Sequence, residues 1–226
     1  KLKTPSLITL KGENGIILYS IPYTQKDSET EFILEKLKSS PWLTATIKLF
    51  GPFLEVLVHF NNLFSKMEPS ARGETIRLMW ENYLPGIKLP PKGQEHLIHK
   101  SNLEQDFGDF VIAHHLVPEQ MIIFPIQSLH VKNQLIFRYP GHKKKLLQYI
   151  NSKSQRMVNN KMKKPHYHPL LNAFIQQYLM LEKEKSNGLF IFRRKKPQAK
   201  SDEFLEELDQ FLSEHPNSYQ YPSEYI

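Results

Sequence analysis

The sequence has no cysteine and only nine glycines among its 226 residues. Without cysteine there are no disulfide frameworks, thiolate zinc sites, iron–sulfur clusters or cysteine nucleophiles. A cysteine-free chain suits a reducing cytosol, and the cytoplasm is the expected location, although such a chain is also compatible with export. The scarce glycines form no GxSxG elbow, no phosphate-cradling Walker loop and no GxGxxG turn, which removes the commonest hydrolase and nucleotide-binding signatures. Long uncharged apolar runs are missing too. The most apolar window, Pro41 to Phe60, contains Lys48, Pro52, Glu55 and His59. That is too polar for hydrocarbon, so it is expected to be a buried globular segment, and no transmembrane segment is expected in the chain. The sequence opens on Lys1 rather than Met, so a preceding segment carrying a signal or anchor is compatible with it.

What is present is globular in character: 40% hydrophobic, 12% aromatic and 23% charged residues. The net charge of +7 is unevenly spread. Residues 131–200 hold 17 Lys and Arg against Glu182 and Glu184 alone, whereas residues 201–226 hold seven acids and no Lys or Arg. A near-neutral N-terminal half is therefore followed by a basic belt and an acidic tail. Self-repulsion in such a belt calls for a counter-charge, either a polyanionic ligand or the protein's own tail.

Periodicity gives an α+β class, with small mixed antiparallel sheets and several amphipathic helices. Strands are expected over Ser6 to Leu10 and Gly15 to Ile21, then Phe110 to His114, Met121 to Ile126, Gln134 to Tyr139 and Leu189 to Phe192. Ser28 with Glu31 reads as a capping box opening a helix to about residue 39. Further helices are expected along Phe53 to Met67, from Ser70 to Tyr83, after Pro140-Gly141 to about Met157, from His168 to Lys185, and after Ser201 as N-cap. The proline-rich stretch Leu89 to Gly93 marks the expected boundary. It separates a mixed α/β region, 1–88, from an α+β region, 94–226, with a single domain as the alternative.

The belt supplies the candidate site. Arg138-Tyr139-Pro140-Gly141-His142-Lys143-Lys144-Lys145 places three lysines at a helix start, the unfavourable end of the dipole, where an anion would compensate them. On an ideal wheel Lys145, Gln148, Tyr149, Ser152, Lys153 and Arg156 share one face, opposite Leu146, Leu147, Ile150 and Met157. Lys161, Lys163 and Lys164 continue the run in an expected loop, and Arg193, Arg194, Lys195 and Lys196 follow the strand ending at Phe192. Lysine and arginine in such a pattern contact phosphates, and Tyr139, Tyr149 and Tyr167 are placed to stack on bases.

The leading expectation is a non-enzymatic nucleic-acid-binding protein, for DNA or RNA, without a cofactor. The alternative is an interaction or scaffold subunit that docks an acidic protein partner through the belt. A nuclease-like enzyme is the third reading, built on Glu104, Asp106, Asp109 and Lys132. The close histidine pairs, His114-His115, His96 with His99, and His166 with His168, lack metal-ligand spacing, so no metal is expected.

Overall fold

The computed structural model describes residues 4–89, 109–158, 168–185, 188–193 and 201–217. The chain forms two compact units that alternate along the sequence. The first comprises residues 4–89 and 168–179; the second comprises 109–158, 180–185, 188–193 and 201–217. Both combine helices with a small antiparallel sheet, which is the expected α+β class. No described helix is long and apolar enough to cross a membrane.

In the first unit, strands β1 (Ser6–Lys11), β2 (Ile17–Tyr23) and β3 (Thr44–Leu49) pair in the order β2-β1-β3. The β1–β2 turn passes through Asn14 and Gly15, both with positive φ. Alternation sends Ile8, Leu10 and Ile21 to one face, where they cluster with Ile33, Phe32 and Leu37 of helix α1 (Asp27–Ser39) and Leu78 of helix α3 (Pro69–Tyr83). Helix α2 (Phe53–Phe64) packs on β1 and β2 and is buried on almost every side. The end of α3 is fixed by Leu84 at its C-cap and Gly86 at φ +84° beyond it. Phe174 and Tyr178 of helix α5 (Pro169–Lys185) add to the aromatic core beside Phe53, Trp80 and Tyr83.

The start of α1 differs from the expected capping box. Glu29, not Glu31, is the capping acid: its carboxylate accepts the N–H of Lys26 at 3.2 Å and of Thr24 at 2.7 Å, and the hydroxyl of Tyr83. Ser28 instead donates to Asn82 Oδ1 at 2.7 Å. Glu29 is only 1% exposed, and these donors compensate the burial of its charge. The 41–60 segment also departs from expectation. Its second half is the buried helix α2, but Thr44–Leu49 forms an edge strand with five of six residues exposed, because the helices of this unit cover β1 and β2 and leave β3 outside.

In the second unit, β4 (Phe110–His114), β5 (Gln120–Pro125), β6 (Leu135–Arg138) and β7 (Leu189–Phe192) form a sheet in the order β6-β5-β4-β7. One face presents Phe110, Ile112, Met121, Ile123 and Phe137 to Leu146 and Ile150 of helix α4 (Lys143–Val158) and to Leu208 and Phe211 of helix α6 (Ser201–Glu214). The basic helix and the acidic helix therefore share one apolar core. The connector from Pro90 onward lies outside the described residues.

Candidate nucleic-acid interface

The corner between β6 and α4 is built by local hydrogen bonds. Arg138 donates its N–H to His142 Nδ1 at 3.2 Å, and its carbonyl accepts the His142 N–H at 2.9 Å. A cis peptide bond joins Tyr139 to Pro140, and the Pro140 carbonyl accepts the Lys143 N–H at 3.3 Å. Apolar spacing rolls Leu146 and Ile150 into the core, which turns Lys144, Lys145 and Arg156 to solvent. Arg138 is exposed as well, since its strand neighbour Phe137 takes the inward position. These four cations make no ion pair among the described residues.

Apart from Arg193, the remaining expected residues divide into those used internally and those outside the described part. Lys143 Nζ lies 3.3 Å from Asp209 Oδ2 on α6 and 5.1 Å from the centre of the Tyr139 ring. Tyr139 packs edge-on against Phe137, and its buried hydroxyl meets no partner at full hydrogen-bonding geometry. Burial first, then the nearby Asp209 carboxylate, raise its pKa. Tyr149 packs against Phe110 and donates its hydroxyl to the Asn133 carbonyl, and burial raises its pKa too. Lys153 Nζ donates to Asn133 Oδ1 at 3.0 Å and sits 5.6 Å from the Tyr149 ring centre. Its pKa is lowered, by burial and then by Arg156. The helical face expected to be uniformly outward is thus split. Tyr149 and Lys153 reach back to the 3-10 turn Val131–Asn133, whereas Lys145 and Arg156 stay free. Arg193 is exposed, while Lys161, Lys163, Lys164, Arg194, Lys195 and Lys196, like Tyr167, lie outside the described residues.

Two residues that matter here escaped the sequence reading. Asn133 anchors both Tyr149 and Lys153, and it is itself held to Ser128 through its side-chain amide. A lone asparagine in a short turn gives no sequence signal. Asp209 was visible only as one acid among seven, but its place five positions before the end of α6, with Leu208 and Phe211 inward, could have marked it as facing away from the core.

Among the described residues no group of three His, Asp or Glu could hold a metal ion. His114 Nε2 is 2.6 Å from the His215 carbonyl, with a pKa lowered mainly by burial, and the His168 ring packs against Phe64. His96, His99, His166, Glu104 and Asp106 are outside the described residues. Asp109 lies at the start of β4, its N–H bound to the Phe192 carbonyl, and Lys132 is in the 3-10 turn after β5. In comparison with known proteins, no family model, curated protein or solved structure matches the chain.

Proposed function

We propose that this chain is a non-enzymatic nucleic-acid-binding protein of the cytoplasm, which holds a phosphate backbone against the exposed edge of α4 and the corner before it. The observation that carries the reading is the set Arg138, Lys144, Lys145 and Arg156: four cations exposed together on one corner and helix, none with an acidic partner among the described residues. Residues of this type supply affinity through counterion release rather than base reading. Base stacking is the weaker half of the earlier expectation, because Tyr139 and Tyr149 are engaged in the core of the second unit. Lys161, Lys163, Lys164 and the Arg193 to Lys196 run extend the same charge along the chain.

One observation favours a second reading, docking to a protein through charge. On α6, Asp202, Glu203, Glu206, Glu207 and Glu214 are exposed and form no ion pair among the described residues, whereas Asp209 pairs with Lys143 of the belt. An acidic segment left open in this way could pair with the belt of another molecule. Fluorescence anisotropy with labelled single-stranded DNA, duplex DNA and RNA at several salt concentrations separates the readings. Nucleic-acid binding that weakens steeply with salt, and weakens again in Lys144→Glu/Lys145→Glu, supports the first. No binding of any of the three at low salt rejects it.

A further inference from the structure

The first sheet ends on two unlike edges. Strand β2 carries Pro22, which removes a backbone donor, and helices α2 and α3 pack against it. Strand β3 has no proline, a single charge, Lys48, and a register with β1 that stays regular from Thr44 to Leu49. Ile47 is 60% exposed and Leu43, just before the strand, is 65% exposed. A regular, almost uncharged edge with exposed apolar side chains lacks the guards that keep strand edges apart.

The hydrogen-bond phase of β3 says which of its backbone groups are open. Phe50 donates its N–H to the Pro5 carbonyl at 2.9 Å, and the register of β1 with β3 places these two residues directly opposite. Antiparallel ladders alternate, so Lys48, Thr46 and Thr44 likewise turn their N–H and C=O toward β1, and Leu49, Ile47 and Ala45 turn theirs outward. Three consecutive outward residues, centred on Ile47, form a segment that matches itself.

We infer that β3 is a self-pairing edge, and that a second copy of this chain adds its own β3 antiparallel about a two-fold axis at Ile47. In that register Ile47 faces the partner's Ile47 as a doubly hydrogen-bonded pair, and Ala45 faces the partner's Leu49 on either side. All the outward donors and acceptors of the three residues are then satisfied. The row Ile21, Ile8 and Ile47 that crosses the sheet continues through the axis into its own image, so the exposed Ile47 side chains cover each other. Lys48 comes opposite Thr46 of the other copy. Shifting the axis to Lys48 would set two lysines face to face and direct the wrong set of backbone groups at the partner, so charge and hydrogen-bond phase select the same register.

The absence of cysteine makes the test clean, because one introduced cysteine is the only thiol present. Across the proposed axis two residues at position 47 have Cα atoms about 5.5 Å apart, within disulfide reach, whereas two at position 44 are separated by six strand positions, about 20 Å. Under mild oxidation Ile47→Cys should form a covalent dimer and Thr44→Cys should not. Sedimentation of the unmodified chain should show a concentration-dependent dimer. Ile47→Pro, which removes an outward donor and the exposed Ile47 side chain but no bond to β1, should be a monomer with unchanged circular dichroism. A chain that stays monomeric up to its solubility limit overturns the inference. So does a dimer that survives Ile47→Pro, or crosslinking equally fast at both positions.

Discussion

Lys143 Nζ meets the Asp209 carboxylate at 3.3 Å, so the first lysine of the basic helix is answered by the acidic helix of the same chain. The pair is half exposed, with side-chain exposures of 37% and 53%. An exposed pair of this kind contributes little to stability, about 0 to 1 kcal/mol. Its effect on binding should be larger, because it withdraws one cation from the proposed phosphate-binding surface. Asp209→Asn should leave the thermal midpoint nearly unchanged, tighten nucleic-acid binding, and steepen the slope of log affinity against log salt by about 1. An unchanged slope would mean that Lys143 takes no part in the surface.

Lys145 and Lys153 lie two turns apart on the same expected face, yet the structure gives them different work. Lys145 is exposed, and Lys153 is tied to Asn133 beside the Tyr149 ring. Lys145→Gln should weaken nucleic-acid binding and flatten the salt slope by about 1, with no loss of stability. Lys153→Met should keep the slope and lower the unfolding midpoint in denaturant. Equal effects on binding would show that Lys153 leaves Asn133 when the ligand arrives.

The acidic segment also has a structural duty that its charge conceals. Leu208 is fully buried and Phe211 nearly so, both against the sheet face that holds Phe110 and Phe137. Deleting 201–226 to probe charge masking would therefore open the core as well. Leu208→Ala should cost about 2 to 5 kcal/mol in urea unfolding, as buried Leu truncations do. Replacing the exposed Glu203 and Glu206 by Gln should cost almost nothing, and that pair is the proper charge probe.

Much of this was legible in advance where periodicity was strong. The apolar spacing of Phe53, Leu54, Leu57, Phe60 and Phe64, and of Leu171, Phe174, Ile175, Tyr178 and Leu179, located α2 and α5, and every one of these side chains is buried. Strands β4, β5, β6 and β7 were announced by runs of Ile, Phe and Val. The strand Thr44–Leu49 was hidden because it buries neither face, so nothing in its pattern repeats with period two against a core. The cap of α1 was misassigned because the deciding partner, Tyr83, is 54 residues from Glu29. At the candidate site the cations were visible, but their division into free and engaged depended on Asn133 and Asp209, contacts made 20 and 66 residues away in sequence.

Glu55 and His59, one turn apart on α2, give opposite pH dependences to stability. Glu55 is 4% exposed, and burial raises its pKa from 4.5 to about 7 against the opposing pull of the Gly51 N–H and of Lys48. Between those two values the folded chain holds a proton that the unfolded chain has released, so this group lowers stability as pH rises from 4.5 to about 7. His59, stacked on Phe50, has its pKa lowered by burial and then by Lys48, from 6.5 to about 4. Here the unfolded chain holds the extra proton, so stability falls as pH drops from 6.5 toward about 4. Each single variant should unmask the other group. Glu55→Gln should gain on the parent chain as pH rises through that first window, and His59→Gln should gain as pH falls through the second. Urea unfolding across the range reads both. Two variants that track the parent at every pH would show that neither group changes its protonation behaviour on folding.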